Sequence, residues 1–279
     1  MNTFVALQRL LPQHALSRLL GRVASSASSL ISQPLIRGFC AAYDVDLADA
    51  EFKSPKQYRS FNEFFTRALA PGLRPLPSDP DALVSPADGR LSQVGRIEGG
   101  TLLQAKGVRY PLASLLLDSR TGKVFNGGWF ATIYLAPSDY HRVHAPFAGM
   151  LVRSVAVPGE LFSVNARTEA GVDKLFCRNE RLVMHFRTRF GPLIVVMVGA
   201  LIVASIETVF DGPASPYQKQ QLVIHQRQFE RGEELGRFLL GSTVILLVPP
   251  GPFAPDRRLG PGFKVEMGGA LGTFNSGRS

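Results

Sequence analysis

The sequence predicts an α+β protein in which N-terminal helices, in residues 1–75, precede a β-rich domain, in residues 76–279. Up to about residue 75 the apolar residues recur with helical spacing, whereas beyond it short apolar or alternating runs are separated by Gly, Pro, Asn and Asp. Because 45% of the 279 residues are hydrophobic, the chain is long and apolar enough to bury a substantial core.

A basic amphipathic helix is predicted after Pro12. Its apolar stripe follows the i, i+3, i+4, i+7 spacing of a helix face and consists of Leu16, Leu19, Leu20 and Val23. Arg18 and Arg22 lie off this stripe, as in helices that rest in a lipid interface, but a helix that packs on its own domain has the same pattern. A third interpretation is a mitochondrial transit peptide, because residues 1–43 contain arginines and serines and no acidic residue.

A second helix is predicted from a capping box, since Ser60 is followed by Glu63. Its apolar face consists of Phe61, Phe64, Phe65, Ala68 and Leu69. Pro71 and Gly72 then stop the helix, which is therefore expected to include Leu69.

Strands are predicted from the apolar or alternating runs at Thr132–Ala136, Leu151–Val157, Leu182–Thr188, Leu193–Ile206 and Val244–Val248. The most apolar run, Leu193–Ile206, is shorter than the ~20 residues that a membrane-spanning helix needs. We therefore interpret it as buried strands.

The chain carries a formal net charge of +9, which favours contact with polyanions. Its basic residues are mostly single arginines in apolar sequence, so an anionic membrane surface is expected rather than nucleic acid. Cys40 and Cys177 lie far apart without Cys or His at metal-ligand spacing, so neither a disulfide framework nor a metal site is predicted. Pro12, His14 and Arg18 interrupt any apolar core of a secretory signal, which favours a cytoplasmic location.

Residues with catalytic potential occur in three segments, Ser85–Gly89, Tyr140–Pro146 and Leu240–Thr243. Each segment alone has a structural interpretation, since Asp-Gly forms turns and the pair His141 and His144 lacks a third metal ligand. Together, Asp88, a histidine and Ser242 are the parts of a serine nucleophile activated by an oriented base. The uncrowded carbonyl of Gly241 is open to attack by the Ser242 hydroxyl, which is the arrangement needed for self-cleavage.

The sequence before Ser242 resembles the processing site of phosphatidylserine decarboxylases. Gly241-Ser242-Thr243 is preceded by Arg231-Gly232-Glu233-Glu234-Leu235-Gly236-Arg237-Phe238. Further motifs occur in the order of this family at Phe64–Arg67, Gly72–Pro75, Asp88, His141 with His144, Gly159–Asn165 and Asn179–Arg181. The resemblance extends from about Phe61 to Thr243, and it is less regular at 198–206, where Ala204 stands in a place that is often glycine in the family.

The resemblance implies a β-rich catalytic domain that cuts its own chain between Gly241 and Ser242. His144, held by Asp88, is expected to take the proton of the Ser242 hydroxyl as that hydroxyl attacks the Gly241 carbonyl. His141 is expected to donate a proton in the later decarboxylation.

The resemblance also implies a cofactor, partners and a location. Cleavage is expected to give a β chain, 1–241, and an α chain, 242–279, which begins with a pyruvoyl group made from Ser242. This covalently bound pyruvate would act as the electron sink while phosphatidylserine loses CO2 and becomes phosphatidylethanolamine. Two cut α/β units are expected to form a dimer, bound peripherally to the anionic cytoplasmic side of the cell membrane.

Three alternatives fit parts of the sequence. A decarboxylase of another phosphoserine-linked lipid would use the same chemistry. A Ser-His-Asp lipid hydrolase would keep Ser242 as a side-chain nucleophile, but Gly241 and Thr243 do not belong to a Gly-x-Ser-x-Gly elbow. A non-enzymatic membrane-binding module would leave the three loop motifs unexplained.

Overall fold

Helices are concentrated before residue 66 and strands after residue 81, which confirms the predicted α+β class. The computed structural model of the chain describes residues 13–105, 107–164, 166–200, 206–212, 215–239 and 242–275. The helices are α1 Gln13–Ala24, α2 Ser29–Tyr43, α3 Phe61–Phe65, α4 Leu112–Leu116, α5 Ser119–Val124, α6 Ala166–Glu169 and α7 Leu175–Arg178, with a 3-10 turn at Pro55–Gln57.

The helix predicted after Pro12 is confirmed as α1. The side chains of residues 13–18, including Leu16 and Arg18, lie outside the described residues. Leu19 and Val23 are exposed to solvent. None of the described helices is long and apolar enough to cross a membrane.

Helix α3 is shorter than the sequence predicts. Its start is confirmed, because the Ser60 hydroxyl accepts a hydrogen bond from the Glu63 N–H at 3.1 Å. It ends at Phe65, however, so the prediction that it includes Leu69 is wrong. Leu69 instead forms an antiparallel bridge with Ala50. This long-range pairing replaces the next helical turn, and local sequence spacing does not show it.

The N-terminal helices share a small aromatic core of their own. Phe39 of α2 makes edge-to-face contacts with Phe61, Phe64 and Phe65, at ring-centroid distances of 5.1, 6.0 and 5.7 Å. Such ring pairs stabilise a folded protein by more than the burial of their surface area alone would. The three phenylalanines of α3 are thereby fixed in place, and Phe65 also reaches the β-rich part of the chain, as described below.

The strands are β1 Ala82–Val84, β2 Gly89–Arg96, β3 Thr101–Leu103, β4 Arg109–Pro111, β5 Trp129–Leu135, β6 Arg142–His144, β7 Gly149–Val157, β8 Arg181–Thr188, β9 Gly191–Val198, β10 Ile206–Thr208, β11 Gln221–Phe229, β12 Glu234–Phe238, β13 Ser242–Val248, β14 Phe253–Pro255, β15 Lys264–Val265 and β16 Ala270–Phe274. Eight of them form one antiparallel sheet in the order β11-β7-β8-β9-β13-β5-β2-β15. Smaller sheets have the orders β1-β16-β14, β10-β12-β6 and β3-β4.

The central strands of the large sheet are buried on both faces. On β13, Val244 and Leu246 pack in one hydrophobic cluster, whereas Ile245 and Leu247 pack in a second cluster on the other face. A strand covered on both sides needs apolar residues at successive positions. This explains the uninterrupted apolar runs, and it confirms that Leu193–Ile206 begins with a buried strand, β9, although residues 201–205 lie outside the described part of the chain.

The small sheet β10-β12-β6 positions the histidine segment. His144 on β6 lies opposite Glu234 on β12, and the Phe238 N–H donates to the His141 carbonyl at 3.0 Å. The end of β12 is therefore held against the start of the histidine segment. Four residues after Phe238, the chain enters the large sheet at Ser242.

Candidate active site

The three predicted segments meet at one end of the large sheet. Strands β2 and β13 are both neighbours of β5, and Arg90 and Thr243 lie opposite Tyr134 from its two sides. With neighbouring strands just under 5 Å apart, these two positions are separated by about 10 Å. Asp88 lies two residues before Arg90, just ahead of the start of β2, and Ser242 directly precedes Thr243 in β13. Gly241 and the side chain of Ser242 lie outside the described residues.

The histidine segment is attached to the Asp88 segment through the backbone. The His144 N–H donates to the Pro86 carbonyl at 2.8 Å, and the Val84 N–H donates to the Pro146 carbonyl at 3.0 Å. The structure therefore brings Asp88, His144 and the backbone of Ser242 to one region.

The ring of His144 is held at both nitrogens. Its Nδ1 lies 2.8 Å from the Gly232 carbonyl oxygen, and its Nε2 lies 2.8 Å from the Tyr140 hydroxyl. A carbonyl oxygen can only accept, so Nδ1 carries the proton and Nε2 is left with its lone pair. Burial raises the pKa of Tyr140 well above its ordinary value, which keeps the phenol protonated as the donor to Nε2. His144 is thus a neutral imidazole whose Nε2 can act as a base.

The predicted contact between Asp88 and the ring of His144 is not formed within the described part of the chain. Asp88 Oδ2 accepts from Arg74 Nη2 at 2.9 Å, and Asp88 Oδ1 accepts from the Met267 N–H at 2.7 Å. The described residues therefore show no hydrogen bond between Asp88 and His144, whose ring nitrogens are engaged by Gly232 and Tyr140, and the role of Asp88 in cleavage stays a prediction. Asp88 still acts through its charge, which raises the pKa of His144 against the larger lowering caused by burial.

His141 is fully buried, and only one of its two ring nitrogens has a hydrogen-bond partner among the described residues. Its Nδ1 donates to the Asp139 carbonyl at 2.7 Å, whereas its Nε2 has no hydrogen-bond partner among the described residues. The ring lies against Phe65, with 4.0 Å between the centroids. Burial, helped by the charge of Arg67, lowers the pKa of His141 to about 3. A buried nitrogen lone pair without a partner costs free energy, and it leaves this acceptor open to a ligand.

Two arginines that our sequence analysis did not single out connect the helical region to this site. Arg67 is buried and donates from Nη2 to the Ser138 carbonyl at 2.7 Å. Arg142 donates from Nε to the Thr66 carbonyl at 2.9 Å and forms an ion pair with Glu234 at the same distance. In the sequence, only their positions within the Phe64–Arg67 motif and the motif of His141 and His144 could have pointed to these two arginines.

Among the described residues, no group of three or more His, Cys, Asp or Glu side chains could hold a metal ion. Cys40 and Cys177 are free thiols. Of the remaining histidines, His185 and His225 lie on β8 and β11, outside the site. The chemistry available at this end of the sheet is that of histidine bases, carboxylates and a serine.

Comparison with known proteins gives matches over nearly the whole chain. The family model described as phosphatidylserine decarboxylase matches residues 61–273, and a second, described as PSD, matches residues 3–44. A phosphatidylserine decarboxylase proenzyme of Alcanivorax borkumensis is 49% identical over 282 residues, covering 98% of this chain and 96% of the relative. Proteins of the same name from Psychrobacter cryohalolentis and Acinetobacter baumannii strain SDF are 48% and 46% identical, covering 98% and 96% of this chain and 99% and 95% of their own lengths.

Proposed function

Because this chain belongs to the phosphatidylserine decarboxylase family, we propose that it cuts itself between Gly241 and Ser242 and uses the new pyruvoyl terminus to decarboxylate its lipid. The overall reaction converts phosphatidylserine to phosphatidylethanolamine and CO2. The relatives are named proenzymes, which supports a precursor that is cleaved into two chains. The observation that carries the proposal is the basic Nε2 of His144, held at the end of the sheet where Ser242 begins β13.

Cleavage begins with a proton transfer to His144. Its Nε2 takes the proton of the Ser242 hydroxyl, after the Tyr140 hydroxyl has turned away, while the serine oxygen attacks the Gly241 carbonyl carbon. The Gly241–Ser242 amide becomes an ester as its C–N bond breaks, and the departing nitrogen of Ser242 takes the proton from His144 and becomes an amine. The imidazolium formed on His144 is stabilised by the nearby charges of Glu234 and Asp88, which raise its pKa.

Elimination then breaks the chain. Loss of the α-proton of Ser242 and rupture of its Cβ–O bond leave a carboxylate on Gly241 and a dehydroalanine at position 242. Water adds to the tautomer of this residue and ammonia leaves, which gives the pyruvoyl ketone. No external oxidant or reductant is required.

Such a group would stand at the start of β13, four residues after Phe238, whose N–H is bonded to the His141 carbonyl. When it is present, the pyruvoyl ketone binds the substrate amine and takes up the electrons released with CO2. His141 supplies a buried nitrogen without a partner among the described residues, in the segment bonded to the end of β12. The negative carboxylate of the arriving lipid favours the protonated form of His141, and we propose that Nε2 delivers its proton to carbon after CO2 has left.

We propose that residues 1–75 bring the enzyme to its substrate at the cytoplasmic side of the cell membrane. Large apolar side chains of α1 and α2 are exposed rather than packed, namely Leu19, Val23, Leu30, Ile31 and Leu35. Arg22 and Arg37 are exposed on the same two helices. Apolar side chains flanked by arginines bind anionic lipid surfaces through insertion and charge attraction.

Deleting residues 1–26 should weaken sedimentation with phosphatidylserine-containing vesicles, because the truncated protein lacks α1 and its arginines. The replacement of Leu30 and Leu35 by Gln, which keeps the charge, should weaken it less. Neutral phosphatidylcholine vesicles are the control for the charge contribution. Unchanged binding by the truncated protein would place the membrane contact elsewhere.

A dimer of cut α/β units is also part of the proposal. Strand β11 is an edge of the large sheet, and its Leu222 and Ile224 are 57% and 68% exposed. An exposed apolar edge strand is suited to pairing with a second copy. Sedimentation equilibrium should give the mass of two cut units for the wild type and of one unit after Leu222→Lys, and a monomeric wild type would exclude the dimer.

The intact mass of the purified protein under denaturing conditions tests the central proposal. Wild type should give two chains that meet at Gly241 and Ser242, with the smaller chain blocked to amino-terminal sequencing because its amine has become a ketone. Ser242→Ala should stay one chain. A single full-length species that decarboxylates the lipid normally would exclude the pyruvoyl route, and one that hydrolyses lipid esters would favour the serine hydrolase.

A further inference from the structure

The turn between β11 and β12 is fastened directly to the histidine segment. Gly232 donates its N–H to the Ala145 carbonyl at 2.8 Å, and its own carbonyl accepts from His144 Nδ1 at 2.8 Å. Ala145 in turn donates its N–H to the Glu233 carbonyl at 2.8 Å. Three hydrogen bonds therefore join two short segments, and one of them sets the tautomer of His144.

Arg231 anchors the other side of this turn. Its Nη1 donates to the carbonyls of Asp79 and Ala82 at 2.6 and 2.9 Å, and its Nη2 donates to the carbonyl of Pro77 at 2.8 Å. A guanidinium with several fixed N–H groups can bind several carbonyls at once, which the compact ammonium of lysine does less well. The turn is thus tied to the segment that leads into β1.

The conformation at position 232 requires glycine. Its φ is +84°, in the left-handed region that side chains disfavour. A Cβ at this position would lie 2.9 Å from Cδ1 of Leu76. Only a residue without a side chain can adopt, at little steric cost, the backbone conformation that points the Gly232 carbonyl at His144.

We infer that Arg231 and Gly232 are positioning residues for self-cleavage, in which the Gly232 carbonyl keeps the proton of His144 on Nδ1 and leaves Nε2 free to act as the base. This inference rests on the proposed function, because it requires that His144 is the base. It gives the carbonyl the orienting role that a carboxylate has in serine hydrolases. Arg231 acts through the turn and touches no reacting atom.

The charges around His144 define the sign of the expected pH effect. The Gly232 carbonyl and the charges of Glu234 and Asp88 raise the pKa of His144, whereas burial and the charge of Arg142 lower it. The base form gains population as pH rises through this pKa. Loss of the Gly232 hydrogen bond therefore moves the midpoint of the cleavage rate to lower pH, while it lowers the maximal rate because the ring is less well oriented.

Cleavage of Arg231→Met measured from pH 5 to 9 tests the inference. The precursor is isolated unfolded and refolded, and the appearance of two chains is followed by denaturing gel. The maximal rate should fall about tenfold, a part of the ~100-fold or more that a positioned base contributes, and the midpoint should move to lower pH. Arg189→Met is the matched control, because Arg189 binds the Pro80 carbonyl and Asp81 in the neighbouring loop without touching the turn. It should cut like wild type.

Other outcomes overturn the inference in distinguishable ways. A wild-type rate and midpoint for Arg231→Met would contradict it. If Arg231→Met cuts more slowly but keeps the wild-type pH midpoint, Arg231 has a purely structural role. If the pH midpoint of cleavage moves in Asp88→Asn but not in Arg231→Met, the Asp88 carboxylate rather than the Gly232 carbonyl orients His144. If Arg231→Met does not refold, Arg231→Lys, which keeps the charge and loses the three-carbonyl reach, replaces it. Normal cutting by His144→Ala would instead refute the assignment of the base in the proposed function.

Discussion

His141 and His144, the two histidines of the histidine segment, lie three residues apart but depend on different parts of the molecule. His144 faces the β11–β12 turn, where Gly232 and Tyr140 hold both of its ring nitrogens. His141 faces the helical region, where Phe65 packs on its ring, and its pKa is lowered by burial and further by the charge of Arg67. One ring is fully bonded, whereas the other keeps a buried nitrogen without a partner among the described residues.

This difference suggests how one small site can carry out two reactions. The base that we propose for cleavage is held by the Gly232 carbonyl and the Tyr140 hydroxyl, which both belong to the β-rich part. The group that we propose for every turnover contacts Phe65 of α3, in the helical region that we propose to bring the enzyme to the membrane. The helical region should therefore influence lipid decarboxylation more than it influences cleavage, and the turn should do the opposite.

Replacing each histidine should give the largest contrast. His144→Ala removes the base that activates Ser242, so the protein should stay a single chain without a ketone to bind the substrate amine. His141→Ala should still cut and acquire its pyruvoyl group, yet release CO2 or product at least about 100-fold more slowly, because the proton donor is lost. Denaturing gels report the first effect, and CO2 release by the isolated cut protein reports the second.

The reverse pattern would exchange the roles. If His144→Ala cuts as fast as wild type while His141→Ala stays whole, the base is His141 and our assignment is wrong, although the family is not in question. Circular dichroism of both variants serves as the control for folding, because an unfolded protein would also fail to cut.

A smaller effect is expected from Arg67→Met. Arg67 binds the Ser138 carbonyl and, at 3.3 Å, the Asp139 carbonyl, which itself holds His141 Nδ1. Losing the guanidinium should displace His141 and lower the decarboxylation rate about tenfold, while cleavage stays near the wild-type rate. Arg59→Met, an exposed arginine of the same region, is the matched control and should change neither rate. A folded Arg67→Met protein that fails to cut would show that the helical region serves cleavage as well.

The sequence predicts the architecture better than it predicts the contacts of the site. The buried strands β9 and β13 could be found because a strand covered on both faces must be apolar at every position. The end of α3 could not, since Leu69 continues the helical spacing but pairs with Ala50. Asp88 and His144 could be identified as polar residues in loop motifs.

Their partners could not be identified in the same way. The Gly232 carbonyl and the Met267 N–H are backbone groups, which any residue provides, so no residue type marks them in a sequence. Chain distance adds to the difficulty, because Gly232 follows His144 by 88 positions. Gly232, one of two glycines in the Arg231–Phe238 motif, is a signal of a special backbone conformation rather than of an acceptor.

The last expected effect concerns the stability of the fold in acid rather than a reaction rate. His141 and His185 are both buried with one nitrogen unpartnered among the described residues, and burial lowers their pKa values to about 3 and about 4. The unfolded chain takes up a proton at each position below its ordinary pKa of 6.5, whereas the folded chain does not. Their stabilising contribution is therefore complete above pH 6.5 and is lost as pH falls towards the folded values, by about 2 kcal/mol each between pH 7 and pH 5.

Urea unfolding of the uncut Ser242→Ala protein at pH 7 and pH 5 measures this loss in a single chain. His141→Gln and His185→Gln in that background should each reduce the difference in unfolding free energy between the two pH values by about 2 kcal/mol, because glutamine takes up no proton.

In the cut enzyme, only His141→Gln should slow decarboxylation, since His185 lies on β8 away from the site. If His141→Gln leaves the difference in unfolding free energy between pH 7 and pH 5 unchanged, His141 is not held neutral in the folded protein. Its Nε2 would then not be available as a hydrogen-bond acceptor for the substrate. Equal slowing by both variants would show that lost stability, rather than a role of His141 at the site, slows turnover, and the contrast between His141 and His144 would no longer hold.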